Sequence, residues 1–269
     1  MIAIIGGGRM GRGLALALGE AGERVSLWSR REATGAVEDA VGGARTVLLA
    51  VPDDAITAVA TQLAATNAIE NSQVVLHLSG LLDVRALRPL EPSGAALGSF
   101  HPLQTVSDPD TAPARWRGAV ATVEGDPRAM AEGERLARRL GLEPVRIASE
   151  SKASYHAGAV IASNYVVALV AMAARLAEAG AVPAALARRM YLPLLQGAAD
   201  SLARQAPAQA LTGPIARGDI ATVRTHLEAL GANDRVLYAR LGLEALILAR
   251  QAGLDSAKAD EIERVLRDY

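Results

Sequence analysis

Cysteine is absent from the 269 residues. That excludes a disulfide framework, a thiolate zinc site and a cysteine nucleophile, and it suits a reducing compartment. An excess of either charge is also missing, since 28 Lys and Arg stand against 29 Asp and Glu. No field exists to hold a polyanion, and no long basic run interleaved with aromatics replaces it, so nucleic acid is not an expected partner. Aromatics are scarce, with two Trp, five Tyr and one Phe. The core must therefore be aliphatic, and the richness in Ala and Leu favours helices. Nowhere do about 18 apolar residues follow one another without a charged or polar group. Met1 leads directly into Ile2-Ala3-Ile4-Ile5-Gly6 with no basic segment ahead of an apolar one. The expectation is a cytoplasmic protein with no membrane partner. What is there, at 51% hydrophobic, is enough to pack one large or two medium domains.

Through about residue 148, short β-branched runs alternate with helical patterns. The strand candidates are Ile2–Ile5, Arg24–Trp28, Thr46–Val51, Gln73–Leu78, Ala96–Phe100, Ala119–Val123 and Pro144–Ile147. This rhythm predicts βαβ units and a doubly wound, mostly parallel sheet. Asp126-Pro127 places a cap and a first-turn proline ahead of a helix running to about Leu140. After Ala148 strands disappear, and Glu150–Leu176, Ala184–Leu202, Ile220–Leu230, Asp234–Gln251 and Ser256–Leu266 read as helices. The expected division is a dinucleotide-binding domain over residues 1–148 and an all-helical domain over 149–269. The first of these helices carries a surface of small residues, Ala157-Gly158-Ala159 and Ala171 to Ala174, that suits a domain spine or a dimer seam.

Gly6-Gly7-Gly8-Arg9-Met10-Gly11 is G-x-G-x-x-G directly after a strand and directly before a helix, the context that the dinucleotide motif needs. Gly6 permits the tight turn, Gly8 a close approach of backbone to pyrophosphate, and Gly11 the packing of helix on strand. The free N–H groups of the helix start face the phosphates. The bland alternative is a glycine-rich turn without ligand. About 20 residues on, where an acidic side chain would bind a ribose 2′-hydroxyl, the chain has Ser29-Arg30-Arg31. A hydroxyl and two guanidinium groups suit a 2′-phosphate, so the expected cofactor is NADP(H). Glu32 comes too late in the chain for the acidic part, and an arginine pair at a strand end can also be a solvated edge.

Ligands of open parallel sheets lie beyond the carboxyl ends of the strands. There the sequence offers Val51-Pro52-Asp53-Asp54, His77-Leu78-Ser79-Gly80 and His101-Pro102-Leu103-Gln104. Val51, Pro52 and Asp53 are expected beside the cofactor, and Ser79 and His101 beside a substrate. Each has a plain reading too: Asp53 or Asp54 as a helix cap, Ser79-Gly80 as a turn, His101 as a structural histidine. On the first long helix, His156 lies about 40° and Ser163 about 20° from Lys152, whereas Asn164 stands about 120° away. A Lys-His-Ser stripe on an apolar helix faces water, a partner or a site. Hydride transfer to C=O or C=N needs a proton donor, and Lys152 or His156 is the candidate. Thr212 and Arg217, around Gly213-Pro214, have the chemistry for a substrate carboxylate, or they belong to a structural turn before Asp219, the expected cap of the next helix. No histidine-carboxylate cluster has metal spacing, so no metal is expected.

The order of these motifs resembles a bacterial family with a Rossmann-like domain and a helical domain of unknown function, related to pyrroline-5-carboxylate reductase and the 6-phosphogluconate dehydrogenase superfamily. The resemblance runs over essentially the whole chain and rests on Gly6 to Gly11, Ser79-Gly80, His101 to Gln104, Lys152 with Tyr155-His156, Ser163-Asn164 and Thr212 to Asp219. It implies a 6-phosphogluconate-dehydrogenase-like helical domain and a homodimer formed through it. In the β-hydroxyacid dehydrogenases of that superfamily a lysine and an asparagine four residues apart act at the substrate. Here His156 follows Lys152 at that spacing, and Asn164 comes from another turn. The His-Pro after a strand is similar to that of prephenate dehydrogenases. The reading is an NADP(H)-dependent oxidoreductase acting on a small carbonyl, hydroxy or imine acid, with Lys152 or His156 as proton donor and Ser79, His101 and Asn164 orienting the substrate. The alternative is a non-catalytic NADP(H) sensor.

Overall fold

The computed structural model describes residues 1–32 and 35–269. They divide into two compact units, Met1–Val167 and Ala168–Tyr269. The first unit contains β1 (Ile2–Ile5), α1 (Arg9–Glu20), β2 (Val25–Trp28), α2 (Val37–Val41), β3 (Thr46–Leu49), α3 (Asp53–Ala65), β4 (Val74–His77), β5 (Ala96–Pro102), α4 (Ala112–Trp116), β6 (Val120–Gly125), α5 (Pro127–Arg139) and β7 (Glu143–Arg146). Among the described residues these strands form one seven-stranded sheet in the order β2-β1-β3-β4-β5-β6-β7. β1 to β5 run parallel, β6 turns antiparallel against β5, and β7 is parallel to β6. The order reverses at β1, between β2 and β3, and this is the switch point where doubly wound sheets open a crevice.

The sequence of β1 shows why the sheet is covered on both sides. Its four side chains are all buried. Ile2 and Ile4 join a core with Leu14, Leu18, Phe100 and Trp116, while Ala3 and Ile5 join another with Ile56, Leu63 and Leu87. Alternation at period two sends neighbours to opposite faces, and both faces meet helices. Full burial of one such aliphatic side chain contributes about 1.5–3 kcal/mol.

After β7 come α6 (Lys152–Val160), a π-helical turn (Ile161–Tyr165) and α7 (Val166–Ala179). The composition changes at Ala148, whereas the compact units divide after Val167, because α6 sends Lys152 into the interior of the first unit. The helical run Ser149–Ala179, 31 residues, is long and apolar enough to cross a membrane. A search for unbroken apolar runs passes over it because Ser154, His156, Ser163 and Asn164 interrupt it.

The second unit continues with α8 (Ala184–Met190), α9 (Leu192–Leu202), α10 (Pro207–Ala210), α11 (Pro214–Arg217), α12 (Ile220–Ala229), α13 (Ala232–Gln251) and α14 (Ser256–Arg267). The single helix expected over Ala184–Leu202 is two, broken at Tyr191. Pro193 lacks the N–H that a continuous helix would use there. Ile215, Val223, Leu227, Leu246, Ile262 and Leu266 form the unit's core. Asp219 caps α12 as expected, accepting from the Thr222 amide at 3.2 Å and the Thr222 hydroxyl at 2.7 Å.

Two other expected caps are otherwise engaged. Asp126 precedes α5 but accepts from the Leu97 amide of β5 at 2.8 Å. Asp53 is the first residue of α3, and its carboxylate accepts from the Ser79 hydroxyl at 2.8 Å.

Candidate active site

The turn from β1 to α1 begins at Gly6, with φ +126°, where a side chain would run into the Ala50 backbone. A Cβ on Gly11 would strike the Gly6 carbonyl, which is the close packing of helix on strand that the motif predicts. At Gly8 a Cβ would meet nothing within 4 Å. No side chain caps α1 and no acidic residue occupies its first turn. Its first N–H groups are thus left as donors for an anion, which is what a pyrophosphate requires. Arg9 opens α1 on the surface, while Met10 packs against the core.

Beside this turn lies a cavity of about 670 Å³, lined by Gly6 to Gly8, Trp28, Ser29, Arg30, Arg31, Val37, Ala50, Val51, Pro52, Asp54, Ala55, Val59 and Gln62. Ser29, Arg30, Arg31, Val51 and Pro52 therefore line one cavity. Asp53 does not join them; its neighbour Asp54 does, because Asp53 is held by Ser79. Glu32 is folded back by a turn in which its amide donates to the Ser29 carbonyl at 3.0 Å, and it pairs with Arg12 of α1. Arg30 and Arg31 are exposed, with no ion pair among the described residues. Two free guanidinium groups beside a glycine turn suit a phosphate ester on the ribose.

A second cavity, of about 540 Å³, is lined by His101, Leu103, Gln104 and Thr105 after β5, by Tyr155, His156 and Gly158 to Val160 of α6, and by Ala162, Ser163 and Asn164 of the π turn. The three rings cluster: His101 stands edge-to-face with Tyr155 at 5.7 Å and with His156 at 5.9 Å between centroids. Nδ1 of His101 lies 2.9 Å from the Tyr155 hydroxyl. Gly80, after β4, fits against both imidazoles. A Cβ there would lie 2.6 Å from Nδ1 of His156 and 2.9 Å from Nε2 of His101. Only glycine lets the chain pass so close.

Ser163 and Asn164 both reach this cavity although the helical wheel separates them. The π turn inserts an extra residue and rotates the rest of the helix about its axis. The Ser163 hydroxyl, which donates to the Ala159 carbonyl at 2.6 Å, competes for an acceptor that a regular turn would give to an amide.

Two predicted site residues are withdrawn from the cavity. The Ser79 hydroxyl donates to Asp53 and accepts from the amides of Leu81 and Leu82 at 3.1 and 2.9 Å, so it organises its own turn and does not orient a substrate. Lys152 is 1% exposed. Its Nζ donates to the Ser79 carbonyl at 3.1 Å and to the Ser99 hydroxyl at 2.7 Å, which directs two of its three N–H groups away from the cavity. Burial pushes its pKa down, opposed by the carboxylates of Glu124, Asp83 and Asp53.

His77 is fully buried. Its Nδ1 accepts from the Ser79 amide at 3.2 Å and its Nε2 donates to the Asp83 carbonyl at 3.1 Å, a neutral tautomer. Burial first, and then the charge of Lys152, lower its pKa to about 4. His101 is likewise lowered to about 4 by burial, then by His156, Lys152 and His77. Burial pushes the Tyr155 phenol up, so it is protonated at neutral pH. Nδ1 of His156 is buried with no hydrogen-bond partner among the described residues. A bare lone pair is tolerated better than a bare N–H, which assigns the proton to Nε2.

Thr212 and Arg217 belong to the second unit, on the turn and short helix before α12. Among the described residues no group of three or more His, Asp or Glu is arranged to hold a metal ion. Sequence reasoning gave no site role to Glu124, Ser99 or Gly80. A lone acidic residue inside a strand run was the one available signal.

Residues 119–245 match the family model described as a domain of unknown function (DUF2520), and residues 27–102 match that of a Rossmann-like domain. The chain thus joins a Rossmann-like domain to a DUF2520 domain. No curated protein matches its sequence. It is similar in structure to protein TM1727 of Thermotoga maritima, with 24% identity and a TM-score of 0.74 over 93% of this chain and 99% of that one. A pyrroline carboxylate reductase of Plasmodium falciparum, solved with NADP bound, is 12% identical, with a TM-score of 0.63 over 98% and 97%. A reductive aminase of Aspergillus terreus, solved with NADPH and ethyl levulinate, is 19% identical, with a TM-score of 0.61 over 99% and 92%. At these identities the likeness establishes the fold, a doubly wound Rossmann sheet followed by an all-helical C-terminal domain.

Proposed function

We propose that the protein is an NADP(H)-dependent oxidoreductase acting on a small carbonyl, hydroxy or imine acid. One observation carries this reading: His101 and His156 converge on Gly80, with Tyr155 against His101, at the same carboxyl edge of the parallel strands that bears the glycine turn. The structures of reductases with NADP or NADPH bound, similar in fold, support it.

When bound, NADPH supplies the hydride. The turn of Gly6, Gly8 and Gly11 and the start of α1 hold the pyrophosphate, Ser29, Arg30 and Arg31 hold the 2′-phosphate, and Val51 and Pro52 flank the dinucleotide. Nε2 of His156 donates a hydrogen bond to the heteroatom of the substrate double bond, where negative charge grows during reduction. Tyr155, kept protonated and hydrogen-bonded to His101, is the second proton source. Ser163 and Asn164 orient the substrate. Thr212 and Arg217 of the second unit have the hydroxyl and guanidinium chemistry that suits a carboxylate.

The test is a titration with NADPH and NADH followed by a turnover screen of keto acids and cyclic imines. Preference for NADPH that vanishes in Arg30→Ala/Arg31→Ala, with turnover lost in His156→Ala, is the expected result. Equal affinities in the parent protein would refute the phosphate clamp, and NADPH binding with no turnover would favour the sensor.

A second copy of the chain is the proposed partner. α9 buries no residue, and α7 and α8 bury one each, Ala174 and Ala187. Leu194 and Val167 stand 70% and 71% exposed, with Leu192, Leu202 and Ile161 also at half or above. Short helices with no packed face are not stable in water by themselves.

A further inference from the structure

We propose that Lys152 is a positioning residue. Its buried ammonium fixes the Ser79–Gly80 peptide against which the imidazoles of His101 and His156 rest, and places a positive charge beside His101.

The placement follows from two periodicities. Ser99 and His101 are two apart on β5 and share a face; Lys152, Tyr155 and His156 are at i, i+3 and i+4 on α6 and share another. Each element therefore offers a buried anchor and, one step further out, a ring at the cavity. The anchors meet: Nζ of Lys152 lies 2.7 Å from the Ser99 hydroxyl, which donates to Glu124 at 3.0 Å. Ser99 and Glu124 are register partners across β5 and β6. Glu124 also accepts from the Ser149 hydroxyl at 2.6 Å and the Val84 amide at 3.1 Å. Lys152 and Ser99 are 1% exposed and Glu124 is 3% exposed.

A buried ammonium is tolerated only with a compensating charge and hydrogen-bond partners; Glu124 lies one hydroxyl away and two acceptors, Ser79 and Ser99, take its protons. The network's third arm does the positioning. The Ser79 carbonyl that Lys152 holds belongs to the peptide leading into Gly80, the residue both histidines touch. The groups around the ammonium are Glu124, Asp83 and Asp53, which favour its charge, and the imidazoles of His77 and His101. Protonated at Nε2 alone, an uncharged His101 offers an Nδ1 lone pair to the Tyr155 hydroxyl; a charged one can only donate there.

The experiment is histidine NMR titration of the full chain, with the four His signals assigned by substitution. In Lys152→Met the His101 midpoint is expected to climb above its value of about 4, because a neighbouring positive charge that disfavours the imidazolium is gone. In a turnover assay kcat is expected to fall about tenfold or more, with its pH profile displaced upward and NADPH affinity unchanged. An unmoved His101 midpoint in the folded variant overturns the proposal. Should Lys152→Met fail to fold, Lys152→Met/Glu124→Gln removes both buried charges together and is expected to raise the midpoint too; an unmoved midpoint there overturns the proposal equally. The turnover arm rests on the reductase reading and the NMR arm does not. A displaced midpoint in a protein without turnover therefore upholds the role of Lys152 and counts against the reductase.

Discussion

The hydroxyl of Tyr155 on α6 and Nδ1 of His101 at the end of β5 lie 2.9 Å apart. Removing that hydroxyl tests whether the pair handles protons. Tyr155→Phe is expected to lower turnover by about 100-fold while NADPH affinity stays the same. Undiminished turnover would leave His156 as the sole proton source.

Gly80 makes a steric prediction independent of any substrate. A methyl group there would sit 2.6 Å from Nδ1 of His156 and 2.9 Å from His101, inside contact distance. Gly80→Ala is expected to cost about 1–3 kcal/mol, read as a lower thermal midpoint. A midpoint equal to that of the parent would mean the histidine rings can move aside.

Acid should weaken the fold through the histidines. The His77 imidazole falls from its ordinary 6.5 to about 4 on folding, through burial and then Lys152. In that interval the unfolded chain binds a proton and the folded chain does not. Its contribution is therefore complete above pH 6.5 and is lost as the pH falls, by on the order of 2 kcal/mol at about pH 5. His101 acts in the same direction. Urea unfolding between about pH 7.5 and pH 5 measures the slope; stability constant over that range contradicts the buried neutral imidazole.

The chain has two tryptophans, and Trp28 lines the cavity beside the glycine turn. Trp116 is fully buried in the core, while Trp28 lies beside Ser29 and Arg30. Added NADPH should quench the emission of Trp28, and Trp28→Phe should remove most of the response. Quenching that survives in Trp28→Phe would place the dinucleotide elsewhere.

For the second copy, light scattering without detergent should give twice the chain mass, and Leu194→Glu should give a monomer. A parent protein that is monomeric in water, or that needs lipid vesicles to stay in solution, would overturn the dimer; in the second case the run Ser149–Ala179 would have met a membrane instead.

The glycine turn was legible because its pattern is local: a few consecutive residues, Gly6 to Gly11, carry the whole of it. The sheet was legible because its strands are apolar on both faces, as β1 shows. Lys152 was misjudged for a physical reason. A helical wheel gives the direction of a side chain but not the depth of what it meets, and Ser99 and Glu124 lie on strands far along the chain. Ser79 and Asp53 failed similarly, each taken for a ligand-facing group when they bind each other. The meeting of His101 with Tyr155 spans 54 residues, beyond any local pattern. The π turn, which alone explains how Asn164 joins Ser163, leaves no mark in periodicity.

Because Ser99 and His101 sit two residues apart on one face of β5, the strand acts as a ruler between the buried network and the cavity. One residue inserted or removed between them would turn His101 to the opposite core, where Phe100 packs. Homologues of altered length can thus be expected to vary in the loop from residue 105 to 111 and to keep the spacing of serine and histidine, so an alignment gap inside that triplet would signal loss of the chemistry rather than its drift.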